Sequence, residues 1–434
     1  MKKIFVLNFA FLTLIGFFCA PAKANFSSVA DTEPIIVQAT TLPQIVGKPV
    51  HHLQVFSMRS GALKPMPWQW DAIDESGWVD FRKKEEDSVV AAKDQLLWLV
   101  GDMGKAATPA ILASFPTKGT WIEVEVGNEQ NTVHFAYVLI ADEKVLTPTQ
   151  DYLTYRMKDD LVVTPYFYVG YRDIIVANQF GWVEPDGTFG RNLIDQVSVL
   201  FTTRLFFGLL PMKVSEEDLL AKQLGNRDGA VRVTQRLSTQ LKLPLGFKGP
   251  SNVAESFFYP NSYETNIDID LPSGGKAIIK DTHFTFNIGL TPPPEGQVVV
   301  RLPPDRTIDL SPTMTADDRV VSKPPPSWAQ FEDSVTKKGF VVHIAIPEKE
   351  SKTIKIESLT YTSNATSGRM GTIGLTIGVN TRPGKHRFAL FLFSPPQQQI
   401  KKKGDEDAFS TLQDYQNLLR FPSKVKQVRV IALN

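Results

Sequence analysis

The stretch of this chain best suited to chemistry is Pro65–Gly104, where acids and tryptophans cluster around turn formers. Trp68, Trp70, Asp71 and Asp74 fall in one short run, and Asp94, Trp98 and Asp102 in a second. The first run reads as a strand ending in an acidic turn. The second reads as a buried strand bounded by Asp94 and Asp102. If the strands pair, the acidic turns come close and offer carboxylates to a cation or a hydroxyl-rich ligand. The three indole rings offer faces on which a sugar could stack. These seven residues are therefore the candidate ligand-binding set. The same residues also suit a purely structural role, since Trp fills cores and Asp caps turns by accepting backbone N–H bonds.

Other chemistry is sparse. The chain has no G-x-S-x-G, no H-E-x-x-H and no complete P-loop. Ser-x-x-Lys recurs at Ser273, Ser334 and Ser423, without the companion elements of penicillin-recognising enzymes. Gly368, Gly371, Gly374 and Gly378 form a series that lacks the strand-to-helix context of a dinucleotide loop. It reads as a turn entering a strand with room for close packing. Asn266, Asp268 and Asp270 imitate the start of a calcium loop, but Leu271 and Pro272 stand where that loop needs glycine and its continuation. Of the six histidines, His51 and His52 would point opposite ways on a strand. His134, His283, His343 and His386 fall in expected strands, and only convergence in space would make them metal ligands. No metal and no cofactor is expected.

Residues 1–24 read as a signal peptide. Lys2 and Lys3 precede an apolar run from Ile4 to Phe18, and Ala22-Lys23-Ala24 gives the cleavage signal, with the cut after Ala24. The run is shorter than the roughly 20 residues of a membrane-spanning helix, so no transmembrane span is expected after cleavage. Phe18 before Cys19 argues against a lipoprotein site. Cleavage removes Lys2, Lys3, Lys23 and the one cysteine, taking the formal net charge from +1 to −2. The remaining chain then has no disulfide and no thiol nucleophile. A periplasmic or secreted location follows, and Asn364-Ala365-Thr366 is a chance glycosylation match. Neither charge offers a footprint for nucleic acid.

The elements that must position these residues are strands. The 30 prolines and 28 glycines are spread along the chain, with short Val-, Ile-, Phe- and Tyr-rich runs between them. Trp121–Val126 and Thr265–Leu271 alternate cleanly. Further strands are expected at Thr132–Ile140, Leu161–Tyr168, Asp173–Val176, Gln196–Phe207 and Gly229–Ser238. Others follow at His283–Ile288, Gln297–Leu302, Gly339–Ile346, Ile354–Thr362, Thr372–Val379, His386–Phe393 and Val425–Ala432. The run Val197–Met212 reads as strand and turn, not as a membrane span. Short helices are expected from Ser215 to Gly225, over Ala106–Ser114 and over Asp407–Phe421. The fold class is all-β, mainly antiparallel: a β-sandwich or supersandwich with a few short helices. Residues 25–290 make an N-terminal β-sandwich-rich region. The Pro-rich stretch 291–328 is a linker or long loop. Residues 329–434 make a β-rich C-terminal region, or part of the same supersandwich.

Pro65–Asp71 and Asp94–Gly104 resemble a pattern of uncharacterised secreted bacterial β-rich proteins, with Gln95 where an acid is usual. Asp228-Gly229-Ala230-Val231-Arg232 resembles the Gly-Pro-Val-Arg strand start of β-supersandwich proteins similar to galactose mutarotases, with Ala230 in place of proline. The resemblance implies a β-sandwich and carbohydrate contact, and it carries over no catalytic residue.

Export, β-rich build and the lack of a nucleophile signature point to a non-catalytic binding or envelope-assembly protein, whose partner is a carbohydrate or an envelope component. The alternative is a carbohydrate-active enzyme, epimerase- or lyase-like, on a supersandwich scaffold. It requires a cleft with His or Tyr beside a carboxylate. A third reading, envelope metal handling, requires the histidines to converge. Sugar binding through the tryptophans requires their faces to be exposed.

Overall fold

A computed structural model describes residue 26 and residues 28–433, apart from 85–86, 129–131, 146–150, 173–175, 206–207, 243–247, 272–278, 294, 304–305, 312–325, 337, 364–369, 381–383 and 395–421. The expected signal peptide, the expected helix at 407–421 and most of the expected strand Asp173–Val176 lie outside the described residues.

The chain is built from antiparallel sheets arranged in two lobes. In the first lobe, Pro34–Gln38, Gln95–Leu99 and Gln69–Asp71 form a three-stranded sheet. It faces a five-stranded sheet ordered Lys424–Ile431, Gly119–Gly127, Val133–Ala141, Leu53–Arg59 and Ala62–Pro65. Alternation sends Val55, Ile122, Val124, Val126 and Val138 inward against Ile35, Val37, Leu96 and Trp98, closing a core that excludes water.

The second lobe packs a nine-stranded sheet, which includes Val233–Lys242, Lys248–Phe258, Ser262–Leu271, Gly384–Phe393, Gly339–Ala345 and Trp328–Asp333, against a five-stranded sheet. That second sheet runs in the order Leu210–Val214, Ile194–Leu205, Ile279–Leu290, Gly371–Val379 and Ile354–Ser363. Phe284, Phe286, Ile373 and Ile377 meet Phe388, Val342, Ile344 and Phe331 between the layers. A further five-stranded sheet, Thr154 to Asn192, adds Phe167, Phe180 and Trp182 to the same core.

Several expectations change in detail. Leu161–Tyr168 is two strands, because Pro165 breaks the run and Thr164 Oγ1 accepts from the Tyr166 and Phe167 N–H groups. The expected helix after Ser215 is a single 3-10 turn, Glu216–Asp218, with a capping box. Leu219–Asp228 then continues as an edge strand, since pairing with Val233–Lys242 outweighs local helix propensity. The expected helix around Ala106–Ser114 is present as Pro109–Ala113. Residues 291–328 do not merely connect. Val298–Leu302 and Arg306–Leu310 are strands of the nine-stranded sheet, with Val298, Val300 and Leu302 alternating into the core.

Candidate functional site

The tryptophans of the candidate set lie in the core. Trp68 is 3%, Trp70 1% and Trp98 0% exposed, so none presents a face on which a sugar could stack. That expectation is corrected by simple burial: apolar neighbours in the first-lobe core cover all three rings.

The acids hold structure together. The two strands pair as expected, with Gln69–Asp71 opposite Gln95–Leu97. Asp94 accepts from Trp70 Nε1 at 3.0 Å, Ile73 N at 3.1 Å and Ala91 N at 2.8 Å. Asp74 caps its turn through Ser76 N and Trp78 N, and lies 3.5 Å from Arg236. Asp102 accepts from the Tyr152 hydroxyl at 2.7 and 2.8 Å, and burial raises its carboxyl to about 6.

Asp71 is the hub of the contact between lobes. It accepts from Arg232 Nε at 2.8 Å, Arg227 Nη1 at 3.2 Å and Gln69 Nε2 at 3.0 Å. Gln69 Oε1 in turn accepts from the Val231 and Arg232 N–H groups. All three stretches that carry the resemblance thus meet at one lobe contact, since Arg232 also donates to Gln95 Oε1. The polar face of the nine-stranded sheet is covered nearby by the first lobe. Val79 N donates to Glu255, and Trp78 lies under the guanidinium groups of Arg236 and Arg387.

The histidines do not converge. His134 stands on a first-lobe sheet, His283 on the second lobe's five-stranded sheet, and His343 and His386 on the nine-stranded sheet. His51 and His52 lie in a 3-10 turn rather than a strand, with ring centroids 4.8 Å apart. Among the described residues there is no group of three or more His, Cys, Asp or Glu that could hold a metal ion. The metal-handling reading loses its histidine cluster because the strands that carry these residues belong to three different sheets.

One histidine does meet a carboxylate in an open groove. His283 Nδ1 lies 2.7 Å from Glu357 Oε2, at the edge of a groove of about 370 Å³. Lys280, Lys352 and Lys355 also line it and are exposed. The local backbone explains the meeting. His283, Gly378 and Lys355 are register partners on three adjacent strands. The pairing shifts between Ile356 and Ser358, so Glu357 sits on a β-bulge. The bulge turns its carboxylate over Gly378 and onto the imidazole. A Cβ at position 378 would lie 2.0 Å from Glu357 Oε1, so the absence of a side chain there is what makes room. A second pairing shift, between Thr202 and Arg204, falls beside His283 on its other neighbour. Asp281, two residues before the histidine, has φ of 48°, which non-glycine residues adopt at a cost.

This arrangement is poorly explained as a stability device. The side chains are 34% and 42% exposed, and such pairs contribute about 0–1 kcal/mol. A glycine inside a strand costs about 0.5–1 kcal/mol relative to alanine. A glycine, two pairing shifts and a strained aspartate are spent on a contact that returns little stability, which is the pattern of a site built for something else. Chemically, Glu357 orients the ring through Nδ1 and leaves Nε2 to act on a ligand. The three lysines suit an anionic group. His283 and Gly378 were both visible in the sequence. Glu357 was not, because its role arises from a bulge and a neighbour on another strand.

No family model matches the chain, and no curated protein matches it. Among solved structures the chain is similar to an alpha-mannosidase from Enterococcus faecalis, at 11% identity and a TM-score of 0.42, covering 91% of this chain and 48% of that one. It is also similar to the Slr1438 protein from Synechocystis, at 8% identity and a TM-score of 0.35, covering 58% of this chain and 99% of that one. A heparinase III is similar at 10% identity and a TM-score of 0.27, covering 60% and 38%. The chain spans about half the length of the mannosidase. Likeness at this level does not carry an activity across.

Proposed function

We propose that this protein, after export and cleavage behind Ala24, binds an acidic carbohydrate in the His283–Glu357 groove and acts on it as an epimerase- or lyase-like enzyme. The observation that carries the reading is the 2.7 Å contact between His283 and Glu357 beside three exposed lysines. In this scheme the lysines hold the sugar carboxylate and stabilise the charge that develops on it. His283 Nε2 takes the proton from the adjacent carbon, and Glu357 steadies the resulting imidazolium. An epimerase returns a proton to the opposite face. A lyase instead expels the leaving-group oxygen as the new carbon–carbon double bond forms.

The test uses the mature chain with uronate-containing polysaccharides and a neutral glucan as control. Calorimetry reads binding, solvent deuterium uptake at the acidic carbon reads the epimerase outcome, and ultraviolet absorbance of the new carbon–carbon double bond reads the lyase outcome. Either signal lost in His283→Ala, with binding kept, supports catalysis. Binding with neither signal in the wild type leaves a non-catalytic binding site. Equal or absent binding of acidic and neutral polymers refutes the proposal.

A further inference from the structure

A second groove, of about 570 Å³, separates Pro34–Gln38 from the strand Lys424–Ile431 in the first lobe. Both walls are edge strands. Among the described residues, Pro34–Gln38 pairs on one side only, with Gln95–Leu99, and Lys424–Ile431 pairs on one side only, with Gly119–Gly127. The register shows which backbone groups are free. Ala39 N donates to Asp94 O, and Val100 N donates to Glu33 O. In an antiparallel ladder such bonded positions alternate, so residues 35 and 37 bond to the neighbouring strand. The N–H and C=O groups of Ile36 and Gln38 therefore point away from it, toward the groove.

An open strand edge is a template for another strand, and proteins usually blunt it. Among the described residues, the blunting on the first wall is Pro34, at its end. The groove is also charged on one side. Lys424 and Lys426 line it, are exposed and have no acidic partner among the described residues. The next cation along the strand, Arg429, is by contrast held by Glu123 and Glu125. Among the described residues no acidic one lines the groove. Strand spacings of roughly 3.4, 4.8 and 10 Å give about 160 Å³ per residue, so the groove has room for about three or four residues of extended chain.

We infer that this groove docks an extended, acidic segment of a partner polypeptide, which adds as a strand along Pro34–Gln38 with its carboxylates on Lys424 and Lys426. Backbone bonds to Ile36 and Gln38 supply affinity, and the lysines supply choice of partner. This surface is independent of the His283 groove, which lies in the other lobe.

The probe is a short synthetic peptide alternating valine and glutamate, with a valine–lysine peptide as control. Binding to the full chain is followed by fluorescence anisotropy. The valine–glutamate peptide is expected to bind and the control not. Lys424→Glu with Lys426→Glu should weaken the acidic peptide by about tenfold or more and admit the basic one. Ile36→Pro removes a groove-facing N–H without breaking the existing ladder, so it should weaken binding with thermal unfolding little changed. Equal binding of the two peptides, no binding of the acidic one, or affinity unmoved by the charge reversal would overturn the inference. The charge-reversal pair keeps the test decisive if the proline variant fails to fold.

Discussion

Asp71→Ala is the most informative single change in this fold. Arg232 is 2% exposed, and its guanidinium is held by Asp71, by the Tyr259 hydroxyl at 3.1 Å, by Gln95 at 3.2 Å and by the Phe257 ring at 4.3 Å. Removing Asp71 takes away the one anion among these contacts and leaves a buried cation. Breaking a buried pair from one side costs about 3–5 kcal/mol, because the remaining charge is uncompensated. Arg227 suffers less, since it keeps the carbonyls of Trp70, Asp80 and Lys83. Removing both charges, as Asp71→Leu with Arg232→Met, should cost clearly less than the sum of the single changes. The network also joins the lobes, so Asp71→Ala should split urea unfolding into two transitions, the tryptophan-rich first lobe reporting separately by fluorescence. A loss under about 1 kcal/mol, or strictly additive single and double changes, would refute the assigned role of Asp71.

Other outcomes follow from the same geometry. Burial pushes the Asp102 carboxyl up to about 6 in the folded chain, above the ordinary aspartate value of 3.8, so the folded state holds its proton more tightly. Stability is therefore fully favoured below about pH 4 and falls as pH rises through 6, by up to about 3 kcal/mol. Asp102→Asn should flatten that part of the urea-denaturation profile. At Gly229 a Cβ would lie 2.3 Å from the Gln69 side chain, so Gly229→Ala should cost about 1–3 kcal/mol by calorimetry, with Gln69→Ala recovering part of it. Gly378→Ala should push Glu357 off His283 and lower the proposed turnover toward that of Glu357→Gln, while the melting temperature moves little.

Much of the fold was legible because strand alternation is local. Thr265–Leu271 needed only the sequence to assign its inward face, and the glycines at 374 and 378 read as close-packing positions, whereas Trp121–Val126 proved buried on both faces, with Trp121 and Glu123 opposite Ile122 and Val124. Local signals failed where pairing partners decided the outcome. Ser215-Glu216-Glu217-Asp218 carries a true capping box, yet the chain turns into an edge strand within one turn. In the Pro-rich stretch after Leu290 the strand Val298–Leu302 was legible, but Arg306–Leu310 was hidden behind the prolines that separate the two. The acids of Pro65–Gly104 stood out in the sequence as candidates for a ligand site or for turn caps. Their partners, Arg227, Arg232 and Tyr152, lie more than 50 residues away in most cases, so sequence could not distinguish a ligand site from a lobe contact. The histidine that found a carboxylate did so through a bulge, which leaves no signature in a single sequence.

The strand Lys424–Ile431 completes the first lobe, yet about 300 residues separate it from Gly119–Gly127, beside which it lies. During synthesis the first lobe therefore emerges with one flank of its five-stranded sheet uncovered, and Val425 and Val428 reach its core only after the whole second lobe has been made. A chain that cannot finish its leading half early stays unfolded longer on its way to wherever it works. Shortening the trailing end should accordingly injure the leading lobe first, the reverse of what linear position suggests.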